Sequence, residues 1–298
     1  MTRPLASPAI PFAVACVGIA LFSLMDTQMK GLSIAIGAYN AMFWRVWIGA
    51  VMAGVVFLVR GERLPARAAM RLHLIRGAVA SIMAVSFFWG IARVPLAEGI
   101  ALSFIAPLIT LYLAAVMLGE QIGPHAIIAS LVALVGVGII LAGRIGGQAY
   151  DEGALWGIGA IFISAILYAF NLILQRQQAQ IATPVEIALF QSLVAGICLG
   201  LLAPFLAVVP AAVTWPALVI SAGLAIISLL LLSWAYARAE AQVLVTVEYT
   251  AFLWAAIFGW IFFHEAVTLA TFFGGALIVI GCLIATRKHP IPLETTAL

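Results

Sequence analysis

WGIARVPLAEGI at residues 89–100 and WAYARAEAQVLV at 234–245 are two copies of one segment. Trp89 aligns with Trp234, Ala92 with Ala237 and Arg93 with Arg238, a shift of 145 residues in a chain of 298. The register continues without a gap through Phe104 and Tyr249, Ala106 and Ala251, Glu120 and Glu265, and Gly136 and Gly281. A second alignment, shifted by 141, pairs Gly18 with Gly159, Ser23 with Ser164, Thr27 with Tyr168 and Lys30 with Asn171. The chain therefore reads as two halves, 1–148 and 149–298.

Composition sets the solvent in which these halves fold. With 65% hydrophobic and 8% charged residues, and a mean hydropathy of +1.21, too few charges remain to cover a water-facing surface. Apolar runs of about 20 residues recur, the length that crosses ~30 Å of hydrocarbon as a helix. Strand-like alternation is absent, so helices satisfy the backbone. The expectation is an all-α polytopic membrane protein. Breaks at charged, Pro and Gly-rich positions predict ten spans, near 10–30, 39–59, 71–92, 95–118, 124–143, 153–175, 185–208, 215–237, 240–263 and 267–286.

Basic residues orient the spans. Arg60, Arg63, Arg67 and Arg71, together with Arg3, Arg176, Arg238, Arg287 and Lys288, fall on one side of a ten-span layout. Lys30, Arg93 and Arg144 fall on the other. Both termini are thus expected to be cytoplasmic. Without an A-x-A-like cleavage site after a short apolar core, the first run is read as a retained helix. Five spans per copy is an odd number, so the second copy crosses in the opposite sense. Two inverted five-helix repeats are an arrangement that secondary transporters use to expose one site to alternate faces. A duplicated scaffold without transport is the alternative.

Polar residues inside the spans are the candidates for contact with a solute. Ser164, Tyr168, Asn171 and Gln175 recur at helical spacing on the sixth span, and Ser23, Thr27 and Lys30 match them on the first. Ser103, Phe104, Pro107 and Thr110 share a face of the fourth span, with Pro107 expected to bend it. Glu248, Tyr249 and Phe252 share one of the ninth. The expected substrate-binding set is Ser23, Thr27, Ser103, Phe104, Pro107, Tyr168, Asn171, Glu248, Tyr249 and Trp254. Interhelical hydrogen bonding is the structural alternative for the hydroxyl and amide members. Glu248 is the candidate to bind a substrate ammonium or carry a coupling proton. Asp26 and Lys30, one turn apart, are expected to pair with each other. Arg45 either pairs with a carboxylate or reaches outward. Glu120 and Glu265 are expected to cap the helix that follows each.

Catalytic and cofactor chemistry finds no support. His73, His125, His264 and His289 fall at expected span ends or outside them and lack zinc-site spacing, and no metal site is predicted. Cys16, Cys198 and Cys282 lie in apolar runs as small buried hydrophobes. There is no nucleophile elbow, no nucleotide loop and no basic surface for nucleic acid.

EGIALSFIAPLITLYLAAVMLGEQI followed by GVGIILAG, and the second copy ending in HEAVTLATFFGGALIVIGCLIA, resemble the EamA-type family of the drug/metabolite transporter superfamily. The resemblance covers essentially the whole chain, and His264 departs from the Gly that precedes the first Glu. It implies a ten-helix inverted fold, no enzymatic activity, and export of metabolites across a bacterial inner membrane. Among members of the family the chain looks most similar to aromatic amino-acid exporters. The expected partners are an amino-acid substrate, the lipid bilayer and a coupling proton. The alternatives are a broader metabolite or drug exporter and a non-transporting membrane receptor or scaffold.

Overall fold

A computed structural model describes residues 9–118, 124–145, 152–178, 181–236, 247 and 250–285. Among the described residues every regular element is helical: α1 (Ala9–Ile36), α2 (Ala38–Val59), α3 (Arg67–Ile91), α4 (Leu96–Ser103), α5 (Ala106–Leu118), α6 (Pro124–Ile145), α7 (Glu152–Gln178), α8 (Pro184–Gly200), the short α9 (Ala203–Leu206), a 3-10 turn (Ala212–Thr214), α10 (Trp215–Tyr236), α11 (Thr250–Phe263) and α12 (Leu269–Ala285). Five helical stretches are long and apolar enough to cross a membrane: Ile10–Ile36, Ala38–Val59, Arg67–Ile91, Glu152–Gln175 and Ala212–Leu232. Five shorter apolar ones accompany them. Large apolar side chains such as Leu58, Val116 and Trp260 lie on the outside, as lipid-facing positions must.

The largest helix contacts recur when elements of the first half are exchanged for their counterparts in the second. α1 packs on α10 as α7 packs on α3; α2 packs on α10 as α8 packs on α3; α1 meets α11 as α7 meets α5. The contacts of α2 with α8 and of α6 with α12 map onto themselves. The repeat read in the sequence is therefore also a repeat of contacts.

Small residues set the tightest crossing. A side-chain carbon on Gly136 of α6 would lie 2.5 Å from the Gly274 carbonyl oxygen of α12, and one on Gly274 would lie 2.5 Å from that of Gly136. The two backbones touch there, as small residues permit in membrane helices. Elsewhere Gly157 approaches Gly90 and Gly196 takes the Trp47 ring, while Gly200 has open space beside it.

Two boundaries differ from the sequence expectation in ways that shape the site. The fourth span is two helices, broken at Phe104 and Ile105, where the Phe104 and Ile105 amides bond three residues back to Ala101 and Leu102. Pro107 accounts for the break: it has no N–H for the Ser103 carbonyl, and its ring excludes a continuous ladder. The first helix runs past Lys30 to Ile36, because Lys30 is buried rather than interfacial.

Candidate functional site

Lys30 lies on α1 and is 2% exposed, which is tenable only with partners. Its Nζ donates to the Val94 carbonyl at 2.7 Å and to Glu265 Oε1, and sits 5.0 Å from the Phe263 ring centroid. The other carboxylate oxygen, Glu265 Oε2, accepts from the Leu96 amide at 2.7 Å. Glu98, also buried, adds a second negative charge nearby. One ion pair thus ties the end of α1 to the α3–α4 turn and to the α11–α12 connection.

The turn that aims Glu265 is built by the residues before it. α11 ends with His264 in the left-handed region, φ 55°, while the Glu265 amide reaches back to the Gly259 carbonyl at 3.1 Å. The His264 amide itself bonds to the Trp260 carbonyl at 3.1 Å, the single bond of the usual left-handed helix ending, in which glycine is preferred. His264 occupies the position that Gly119 holds in the first copy. Glu265 caps α4 of the other half instead of the helix that follows it, and Lys30 takes Glu265 as partner instead of Asp26. Both local expectations give way because the long-range partners arrive from 169 and 235 residues away.

At the other end of α3 lies a second polar cluster. Arg76 donates through Nε to Asn171 Oδ1 at 3.1 Å, through one terminal nitrogen to Gln178 Oε1, and through the other to Gln175 Oε1 at 3.1 Å. Gln178 continues to His73 Nδ1, and His73 Nε2 meets Glu186 Oε1 at 2.8 Å. His73 and Gln178 are fully buried, and the His73 ring stacks on Phe190 at 5.1 Å. TPVE at 183–186 has the spacing of a capping box, and Thr183 Oγ1 does accept from the Glu186 amide at 3.2 Å. The Glu186 carboxylate, however, turns to His73, and the Thr183 hydroxyl donates to Glu62.

The expected binding residues divide between these regions. Ser23 and Thr27 are buried on α1, where the Thr27 hydroxyl donates to the Ser23 carbonyl at 2.7 Å. The Ser103 hydroxyl donates to the Gly99 carbonyl at 2.8 Å, and Phe104 forms the break between α4 and α5. Pro107 stands in the first turn of α5. Asn171 is committed to Arg76, and Ser164, one stripe position above, donates to the Met83 carbonyl at 2.9 Å. The α7 stripe thus faces α3 and binds the two helices together, while Tyr168 of the same helix is 37% exposed. Trp254 stacks on Phe258 at 5.7 Å. Glu248 and Tyr249 lie outside the described residues, as do Glu120 and Arg238. Asp26 is buried and feels the charge of Arg45 across the α1–α2 contact, with no ion pair within 4.0 Å among the described residues. Arg93 stacks over Trp89 at 3.4 Å, outside α3, and burial holds its guanidinium below the usual arginine value.

A cavity of about 310 Å³ opens between α1, the 3-10 turn, α10 and α11. Thr27, Gln28 and Thr214 offer hydrogen-bonding groups, and Phe262 and Phe263 form an aromatic wall. Of the expected binding residues it touches Thr27. Phe263 is shared between this cavity and the Lys30 pair, so the cavity and the latch are adjacent.

The model of the EamA-like transporter family matches residues 10–142 and again 155–287. The chain belongs to the EamA-like transporter family. Across its length it is similar to bacterial transporters of the drug/metabolite transporter superfamily. A pseudopaline exporter of Pseudomonas aeruginosa (strain UCBPP-PA14) is 26% identical over 267 residues, 89% of this chain and 92% of the relative. A riboflavin transporter of Rhizobium johnstonii is 28% identical over 280 residues, 91% and 89%. A protein solved by crystallography matches in fold with a TM-score of 0.62 at 21% identity, over 94% of this chain and 97% of the other.

His73, Arg76, Gln178 and Glu186 were not among the residues expected to matter. The signal of His73 and Arg76 is present in the sequence as polar residues at i and i+3 on α3, but His73 reads there as a span-end residue.

Proposed function

We propose that the chain is a secondary transporter that exports amino acids, apolar or aromatic ones foremost, across the bacterial inner membrane by alternating access. In this reading ten crossings form two five-helix repeats, 1–148 and 149–298, of opposite sense, with both termini cytoplasmic. The exchange symmetry of the helix contacts supports a pair of interconvertible halves. The observation that carries the substrate class is the 310 Å³ cavity with a phenylalanine wall and only neutral hydrogen-bonding groups. Its size is at the lower end of the ~300–1,000 Å³ usual for small-molecule sites. A zwitterion with an apolar side chain suits it; a strongly anionic solute would need cations, and the cavity lining holds no Lys or Arg. Ser23, Thr27, Ser103, Phe104, Pro107, Tyr168, Asn171, Tyr249 and Trp254 complete the proposed path, with Glu248 as the group that meets a substrate ammonium.

A broader metabolite exporter is the second reading, favoured by relatives named for solutes as unlike as pseudopaline and riboflavin. Purified protein in liposomes, assayed for counterflow of labelled phenylalanine, threonine, riboflavin and a cationic dye, separates the two. Phenylalanine counterflow that weakens with Phe263→Ala supports the first. Riboflavin or dye movement without amino acids supports the second. No flux of any solute removes transport.

A further inference from the structure

The His73 cluster contains a hydrogen-bonding constraint. Arginine only donates, so the Gln178 oxygen must face Arg76. The Gln178 amide nitrogen then faces His73 Nδ1 and donates to it. His73 Nδ1 is therefore a bare acceptor, and its proton is on Nε2, pointing at the Glu186 carboxylate 2.8 Å away. Every donor in this row points the same way: Arg76 to Gln178, Gln178 to His73, His73 to Glu186.

A proton arriving at Nδ1 breaks the row. Two donors then face each other between His73 and Gln178. Turning the Gln178 amide relieves that contact and creates the same one against Arg76. No rotamer of a neutral amide satisfies both sides, so α3 must give up either its His73 or its Arg76 tie to α7. We infer that His73 is a proton-binding site whose occupancy unlocks α3 from α7 at this end of the bundle.

The surroundings suit that role. Beside the cluster the Glu186 backbone amide donates to Thr183 Oγ1 and the Thr183 hydroxyl donates to Glu62, close to the exposed connection after α2. Glu186 supplies a negative charge beside the imidazole; Arg76 supplies a positive one from the same helix, and Tyr168 faces Arg76 from α7. α8 adds Phe190, which stacks on the imidazole and meets Phe57 of α2; the charges nearest Phe57 in sequence are Arg60 and Glu62. The charges of α1 face elsewhere: Asp26 lies in the field of Arg45 without an ion pair, and Lys30 pairs with Glu265, where Glu98 of α4 also sits. A proton taken by Glu186 instead would leave its second oxygen free to accept from Nε2, and the lock would stay shut.

The purpose of such a site, driving a solute cycle with a proton gradient, rests on the transport reading above; the lock itself does not. The test uses the full chain with Cys16, Cys198 and Cys282 replaced by Ala, and spin labels on Arg71→Cys and Gln177→Cys in lipid nanodiscs. Between about pH 8 and about pH 5, the range that brackets histidine titration, a longer-distance population grows roughly tenfold or more, the effect of losing one buried hydrogen bond. His73→Gln abolishes that growth. Gln178→Glu offers an acceptor to both Arg76 and a protonated Nδ1, so the acid-side growth is lost there too. An acid-side growth that survives in His73→Gln or in Gln178→Glu overturns the inference, as does a wild type without response. Wild-type solute counterflow at equal pH on both sides reports on transport separately: its absence removes the exporter reading and leaves the distance result to decide the lock.

Discussion

Replacing Glu265 with Ala should open the end of the molecule where Lys30 lies. Lys30 Nζ has Glu265 as its ion-pair partner and the Val94 carbonyl as its other acceptor, at 3% side-chain exposure. Removing one member of a buried pair leaves the other charge unbalanced, at about 3–5 kcal/mol. The Glu265 side chain is 22% exposed, so water screens part of the interaction and the low end, about 3 kcal/mol, applies. The same substitution removes the acceptor for the first amide of α4. A change of about 3 kcal/mol is roughly a hundredfold in an equilibrium constant. The readout is a thiol at Ala97→Cys, a buried position beside Glu265 that lines a gap of about 10 Å³ between α4 and α11. Its labelling by a membrane-impermeant maleimide, in a chain otherwise free of cysteine, should accelerate roughly a hundredfold in the Glu265→Ala background. Adding Lys30→Met removes the orphaned charge and should return the rate by about tenfold, since an apolar replacement of both partners is often near neutral. A labelling rate in Glu265→Ala within threefold of its parent, roughly 0.6 kcal/mol, would show that the pair holds nothing closed.

Two further substitutions test the packing and the backbone around this site. His264→Gly relieves a left-handed residue and should raise unfolding stability in detergent by about 1 kcal/mol, read by tryptophan fluorescence; a loss of stability would mean that the imidazole makes a contact that outweighs the strain. Gly136→Leu must push α6 off α12 and should unfold the protein or reduce its stability by more than about 2 kcal/mol, whereas Gly138→Leu, with nothing within 4 Å, should change it by under about 0.5 kcal/mol. Equal effects at the two glycines would refute the backbone contact.

Most of the helical layout was legible because a membrane imposes length and polarity rules on every span. Pro107 announced the break between α4 and α5 two residues in advance, since the missing donor acts on the preceding turn. The partners of charged residues were not legible. Lys30 read as the outer end of a span because an unpaired ammonium belongs at an interface; the Glu265 carboxylate removes that reason, and the helix continues to Ile36. His73 was placed at a boundary for the same reason, yet Gln178 and Glu186 make it an interior residue. The α7 stripe was found by its period, but the period does not say what it faces. Arg76, 95 residues from Asn171, decides that.

The duplication makes the two ends comparable, and they differ in kind. At the α3–α7 crossing the cation is Arg76 on α3, opposite Asn171 on α7. At the matching α10–α1 crossing the repeat puts Ser221 in the place of Arg76 and Lys30 in the place of Asn171. The cation has changed helices. Ser221 donates to its own helix at Leu218, which stands in the place of His73, so α10 offers Lys30 neither a polar row nor an imidazole. Lys30 turns instead to Glu265 and the α3–α4 turn. One end is therefore held by an ion pair, and the other by a row of donors that runs from Arg76 through Gln178 and His73 to Glu186 and that a proton on Nδ1 breaks. If the halves exchange roles during a cycle, the energy for each exchange must enter where the interaction can be switched, and the His73 row is such a place because its donors all point one way.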